Sequence, residues 1–321
     1  MRSSFITLIV VILTVGLAHA QQPYSFLFYN VENLMDTQND SIKNDDEFTP
    51  TGLRAWTEYK LQQKIDHIAK VILAANGFNY PDAIGLCEVE NYQLIERLIN
   101  TTPLQKIGYR YIHKESPDGR GIDTALLYRP NRIKPQWYKY HPLINPSGDT
   151  IATREILECK FTAASDSFHI FINHWPSRYG GELKSAPKRM LAAQTLWQII
   201  EKNNSTAGAT NNIILGDFND EPADNSLAWL CQRSHQLTNL SADWDSKLGT
   251  LKFQSNWSIF DQIIISKNLK DKYPIGKIVS LHFLFKEDEK WEGQKLFRTF
   301  HGYQYEGGFS DHLPIILLLN L

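Results

Sequence analysis

Cysteine is scarce in this chain. Only Cys87, Cys159 and Cys231 occur among 321 residues. An odd, widely spaced trio excludes a disulfide framework, and the spacing excludes a cysteine-built zinc site. Cys87 and Cys159 sit in apolar or strand-like runs, so they are predicted to be buried small hydrophobes. An excess of one charge is also lacking: 33 Lys and Arg stand against 35 Asp and Glu, a formal charge of −2. That excludes the global basic footprint of a tight duplex-DNA binder, although a local basic patch with a metal can still hold a phosphate. Linkers, low-complexity segments and sequence repeats are missing. One domain is therefore expected after the leader, with Asn203–Gly208 as a surface loop.

A long apolar run occurs at the start, from Phe5 to Leu17. Arg2 precedes it, and Ala18-His19-Ala20 then Gln21-Gln22 follow. The run is short for a bilayer and has the flanks of a cleaved leader. Residues 1–20 are thus expected to be a signal peptide and 21–321 the mature domain, secreted or periplasmic. No Cys follows the run, so a lipid anchor is not indicated, and no stable membrane insertion is expected.

Apolar patterning supplies the elements. Ser25–Tyr29 reads as a strand ending at Asn30, and the acidic stretch Asn39–Thr51 as a loop. Thr57 opens a helix with Leu61, Ile65, Ile68 and Ile72 on one face, stopped by Asn76-Gly77. Ala83–Cys87 is a strand ending in Glu88, and Tyr92–Ile99 a short helix. Strands are expected at Tyr109–His113, Asp123–Tyr128, Ile156–Phe161 and Phe168–Asn173, then a helix over Ala186–Glu201. Further strands fall in "NNIIL", Ile259–Ser266 and Pro314–Leu319. Several strands are apolar throughout, which requires cover on both faces. The reading is an α/β layered fold with two packed sheets inside and helices outside.

These apolar strands end in chemically capable residues. Asn30 and Glu32 follow the first, Glu88 and Glu90 the second, and His174 follows "FHIFIN". Asp217 and Asn219 follow "NNIIL", where Gly216 is expected to let the backbone turn and Asp220-Glu221 to be turn chemistry. Asp311 and His312 precede the last strand. Asp261 lies inside "SIFDQIII", where burial without a partner is costly, and a histidine is one suitable partner. Glu88 and Asp311 offer hard oxygens for Mg²⁺ or Mn²⁺, whereas the histidines lack zinc-ligand spacing. His174 and His312 can neutralise or protonate phosphoryl oxygens. Asp217 can hold and deprotonate a water while Asn219 donates to phosphate. Those are the parts of metal-assisted phosphate-ester hydrolysis.

Seven blocks, "FYNVENL", "AIGLCEVE", "GIDTALLYRP", "NHWPSR", "LGDFND", "FDQIII" and "SDHLP", occur in order from Tyr24 to near the C-terminus. Together they resemble the endonuclease/exonuclease/phosphatase superfamily in an exported bacterial form. The resemblance implies a deoxyribonuclease I-like, four-layer α/β/β/α sandwich of two packed mixed sheets, with the site at one sheet edge. It implies Mg²⁺, with Mn²⁺ as the alternative, held by Glu88 and Asp311 near Asn30. Glu32 sits where some members place a second acidic metal contact. Asp217 and Asn219 match the water-activating and substrate-polarising pair, Asp261 the carboxylate orienting His312, and His174 the phosphate-contacting histidine, with Asp123 as its acidic partner. Arg178 and Arg189 offer phosphate contacts, with Arg154 a third. The expected substrate is DNA or RNA, with sphingomyelinase-like or inositol-phosphate phosphatase activity as the alternative and a non-catalytic binding protein on this fold as a further one. No obligate protein partner is evident. Trp56 and Trp175 suit a core better than a lipid-facing loop.

Overall fold

The continuous apolar strands form two six-stranded mixed sheets in a computed structural model that describes residues 22–321 apart from Phe78, Ala164, Ser165, His235 and Ser246. The expected leader lies outside the described residues. The sheet strands are β1 (Tyr24–Leu34), β2 (Ala83–Val89), β3 (Arg110–His113), β4 (Asp123–Tyr128), β5 (Lys134–His141), β6 (Ile156–Ala163), β7 (Asp166–His174), β8 (Asn212–Asp217), β9 (Leu237–Asn239), β10 (Asp261–Ser266), β11 (Ile275–Ile278) and β12 (Ile315–Leu319). One sheet runs β11-β12-β1-β2-β4-β3 and the other β5-β6-β7-β8-β10-β9. Each has a single parallel pair at its centre, β1 with β2 and β7 with β8, and is antiparallel elsewhere. The two halves therefore repeat one topology without repeating a sequence.

A parallel pair needs a crossover, and helices supply both. Helix α1 (Glu58–Ala74) joins β1 to β2, and the long helix α3 (Glu182–Ala207) joins β7 to β8. Helices α2 (Tyr92–Thr101) and α4 (Asn225–Arg233) complete the two outer layers. The apolar core divides accordingly. Leu27, Tyr29, Ile84 and Leu86 meet Leu61, Ile65, Ile68 and Ile72 of α1 on one side. Phe171, Ile214 and Ile264 meet Leu196, Ile200 and Leu227 on the other. Between the sheets, Phe26, Phe28 and Leu126 pack on Ile170, Ile172, Leu215 and Ile263. Alternate residues of β1 thus serve different layers, as the two-residue period of a strand requires.

Gly85 keeps the sheets close: a Cβ there would lie 2.5 Å from Ile172 Cδ1. Gly216 does not turn the chain as expected from sequence. It lies within β8, and its Cβ would come 2.5 Å from the carbonyl oxygen of Asn173 on the parallel neighbour. Helix α3 also runs past its expected end, through Asn203–Ala207. The Asn203 side chain donates to Glu158 Oε1 on β6 at 2.6 Å, and this tertiary anchor holds the polar segment in the helix. The edge strand β5 went unread because its face is mostly solvated polar residues and exposed aromatics.

Candidate active site

Strand pairing gathers the polar strand ends. His174 on β7 is level with Asp217 on β8, and Asp217 is level with Asp261 on β10. Three residues distant in sequence therefore form one row across a sheet. The other sheet contributes through irregularities. Its register shifts between Asn30 and Leu34 on β1 and between Cys87 and Val89 on β2. Glu32 (φ 52°), Asn33 (φ 53°) and Glu88 (φ 63°) occupy these bulges in left-handed backbone, and Asn219 (φ 52°) does so beyond β8. Left-handed bulge residues break strand alternation and re-aim side chains, and such strain collects at functional sites.

The row is tightly connected. His312 Nδ1 lies 2.7 Å from Asp261 Oδ2, and both side chains are buried. His312 Nε2 is 3.8 Å from Asp217 Oδ2. Asn30 Nδ2 donates to that Oδ2 at 3.0 Å, while the Asn219 backbone N–H donates to Asp217 Oδ1 at 3.0 Å. The Asn219 amide donates to the Trp175 carbonyl. His174 Nε2 stands 3.8 Å from both Glu88 Oε1 and Asp217 Oδ2, and its buried Nδ1 has no hydrogen-bond partner. Ser310 ties the closing segment in by donating to the Asn30 carbonyl and accepting from the His312 N–H.

Burial sets the electrostatics. It opposes the His312 imidazolium, but Asp261 and Asp217 outweigh it and hold that pKa well above the usual range. Burial raises Asp217 to about 6, with Asp261 adding to the rise and His312 opposing it. Burial, then Arg154 and Arg120, pushes His174 well below the usual imidazole range, so it is neutral. Burial and the Asp311 charge raise Glu88. Crowded, partly unpartnered carboxylates of this kind are relieved by a cation. Asp217, Asp261 and His312 have ligand atoms within 4.8 Å of one another. Two of these three already hydrogen-bond each other, so we favour the freer oxygens, Glu88 Oε1 and Asp311 Oδ1, for a hard divalent ion. The donor set fits one.

Several expectations need correction. Both oxygens of Glu32 are occupied, Oε1 by Arg298 Nε at 3.0 Å and Oε2 by the Thr299 N–H at 2.8 Å, so it braces Arg298 rather than facing a metal. Asp123 does not partner His174. It binds His113 Nε2 at 2.9 Å and the Ser116 N–H at 2.7 Å. Arg189 is 1 % exposed and bound to Asp220 at 2.6 Å, a core ion pair out of reach of a substrate. Arg178 is held by Asp220 and Asp224. Asp220, expected as turn chemistry, is thus the anchor of both arginines and of Ser226. Arg154 is buried between Asp118 and the Trp175 carbonyl. Trp56 and Trp175 are core residues.

Sequence reading missed three cations. Arg298 Nη2 holds Asp311 Oδ2 at 2.7 Å. Lys64 lies buried beneath, donating to Thr299 and Phe309, 3.9 Å from Glu32, with burial lowering its pKa to about 8. Its signal was a lysine on the apolar face of α1. Arg120 follows Asp118 in a loop and acts electrostatically on Glu88 and His174.

A family model described as "Endonuclease/Exonuclease/phosphatase family" matches residues 25–321. No curated protein sequence matches the chain. Among solved structures it resembles the human Nocturnin catalytic domain with bound sulfate, at 18% identity and TM-score 0.60 over 93% of each chain. It also resembles the mannosyl-6-phosphatase Bt3783 of Bacteroides thetaiotaomicron VPI-5482, at 18% identity and TM-score 0.59, covering 92% of this chain and 99% of that one. D. rerio TDP2, solved with a single strand DNA product, is similar at 15% identity and TM-score 0.56, over 93% of this chain and 99% of that one. At these identities the likeness carries the fold, which is the deoxyribonuclease I-like sandwich.

Proposed function

This chain belongs to the endonuclease/exonuclease/phosphatase family, whose members hydrolyse phosphate esters, and we propose that its own reaction is divalent-metal-dependent hydrolysis of phosphodiester bonds in nucleic acid outside the cytoplasm. The carrying observation is the His312–Asp261 hydrogen bond with Asp217 Oδ2 3.8 Å from the same imidazole. Base, acid and orienting carboxylate then face one small volume. Asp217, fixed by Asn30 and the Asn219 N–H and titrating near 6, is placed to take a proton from the attacking water. His312, kept protonated by Asp261, directs Nε2–H at the phosphoryl oxygens as charge builds on them. The water's oxygen bonds to phosphorus as its proton passes to Asp217, the ester P–O bond breaks, and the leaving oxygen takes the His312 Nε2 proton, which is replaced from protonated Asp217 3.8 Å away. His174, neutral, turns Nε2 toward Glu88 Oε1 and Asp217 Oδ2 at 3.8 Å and offers a further hydrogen bond to the phosphoryl group from there, while its Nδ1 stays buried.

Glu88 and Asp311, with the Asn30 amide alongside, would hold Mg²⁺ or Mn²⁺. Bound there, the ion would neutralise phosphate charge and lower the barrier to attack. Export rests on the pattern of residues 1–20. Trp56 and Trp175, the residues offered for a lipid-facing loop, are buried, and the nucleic-acid reading rests on the resemblance of the His174 block "NHWPSR" to the nuclease branch. The test is a Mg²⁺ and Mn²⁺ panel of plasmid DNA, RNA, bis-p-nitrophenyl phosphate, sphingomyelin and inositol phosphates. Asp217→Ala and His312→Ala are each expected to abolish turnover while keeping a cooperative melt. Full turnover in either variant rejects the mechanism, and cleavage of lipid alone rejects the substrate.

A further inference from the structure

Beyond Asp311 the wall of the site is built from short hairpins. Phe285–Glu287 pairs with Gln294–Leu296, Phe300–His301 with Gln304–Tyr305, and Leu251–Phe253 with Asn256–Ser258. They surround a cavity of about 330 Å³ lined by Lys290, Trp291, Lys295, Arg298, His301 and Asp311 among others. It therefore shares a wall with the catalytic cluster.

Four cationic side chains and two carboxylates line this cavity. Both carboxylates are already engaged. Asp311 holds Arg298 at 2.7 Å, and Asp288 holds Lys252 at 2.8 Å while accepting the N–H groups of Lys290 and Trp291. Among the described residues, no carboxylate lies within 4.0 Å of Lys290 or Lys295. Two ammonium groups and the exposed His301 thus border the cavity without an anion. Beside them, Trp291 and Phe253 are 40% and 68% exposed, with Lys290 Nζ over one face of the Trp291 ring at 5.0 Å and the other face left for a base. Large exposed rings next to unpaired cations suit a chain of bases and phosphates: rings stack, and ammonium groups meet the backbone charge. A second cavity of about 560 Å³, lined by Lys247, His282 and Glu292 among others, borders the same Lys252 and Trp291. These two adjoining cavities form a track whose combined volume exceeds the needs of a sugar monophosphate.

Resting on the reading of the site as a phosphodiester hydrolase, we propose that this track binds single-stranded polynucleotide leading away from the scissile phosphate. The neighbouring phosphate lies between Lys290, Lys295 and His301, and its base stacks on Trp291. The substrate class is then an unpaired strand rather than a duplex or a small phosphorylated sugar.

The test uses the full mature chain, an oligodeoxythymidylate and bis-p-nitrophenyl phosphate, with wild type, Lys290→Gln/Lys295→Gln and Trp291→Ala. All changed side chains are on the surface hairpins, and unchanged melting temperatures verify folding. The preference in kcat/KM for the oligonucleotide over the small diester is expected to fall at least about fivefold in both variants, the size of effect that about one kilocalorie-scale contact gives. An unchanged preference overturns the proposal. Binding of the same oligonucleotide, followed by fluorescence anisotropy on Asp217→Asn, separates this idea from the proposed reaction. Salt-sensitive binding that weakens when the track substitutions are added supports the track even if wild type cleaves no nucleic acid. Equal affinity with and without those substitutions rejects it.

Discussion

Replacing Asp261 by Asn tests the central pair most directly. The amide keeps the shape and an acceptor for His312 Nδ1 but removes the charge. At 2.7 Å and an effective dielectric of about 20, the Coulomb attraction is roughly 6 kcal/mol. Burial of both groups takes back several kcal/mol, since Asp261 is fully buried and His312 nearly so. A net of about 2–3 kcal/mol remains, the range of hydrogen bonds to charged partners. If that energy supports His312 in the transition state, kcat/KM falls roughly 30- to 150-fold. The pH behaviour gives a second readout. The folded pKa of His312 is raised, so its stabilising contribution is complete below about 6.5, the unfolded value, and is lost as pH rises through the higher folded value. In EDTA the wild-type melting temperature should therefore decline above pH 6.5, and Asp261→Asn should flatten that decline. Activity should be measured on bis-p-nitrophenyl phosphate with saturating Mg²⁺ from pH 6 to 9. A kcat/KM within threefold of wild type, with an unmoved alkaline limb, refutes the assignment of Asp261 to His312.

Three other outcomes are expected. Mg²⁺ should raise the melting temperature by mass action, approaching about 2.7 kcal/mol of stabilisation at a hundredfold excess over its Kd. Calorimetry of Glu88→Gln should show most of that gain lost, and an undiminished gain would move the metal elsewhere. Glu158, bound by His141, His169 and Asn203 and lowered to about 2, stabilises the fold above the unfolded value of about 4.3 and loses that contribution as pH falls through 2. Glu158→Gln should therefore cost roughly 3 kcal/mol at pH 7 and little near pH 2, read by urea unfolding. Gly216→Ala places a methyl 2.5 Å from the Asn173 carbonyl oxygen, and the backbone shift should cost at least about 1–3 kcal/mol. A melt equal to wild type would show that β7 and β8 part freely.

Much of this molecule is written locally. The apolar runs that became β1, β2, β7, β8, β10 and β12, and the face of α1, follow from side-chain periodicity, because burial on one or both faces is decided residue by residue. The polar residues at their ends were legible for the same reason: an acid after a buried strand needs a partner or a role. Seven ordered blocks sufficed for the family. Partnership was not legible, because it depends on which strand pairs with which. The row His174, Asp217, Asp261 exists only through the registers of β7, β8 and β10. Arg298 reaches Glu32 across 266 positions, and Lys64 reaches Thr299 across 235. Partners chosen by the fold, whether 10 or 266 positions away, redirected Glu32 from metal to arginine, Asp123 from His174 to His113, and Arg189 from phosphate to Asp220. Left-handed backbone at Glu32 and Glu88 is a property of the assembled bulges, not of a residue type that ordinarily avoids it. Sequence alone determined which chemistry was available and roughly where each strand stopped. Tertiary structure decided which charges neutralise one another and which remain free to act, because electrostatic energy depends on distance in space and on burial, and neither is carried by position along the chain.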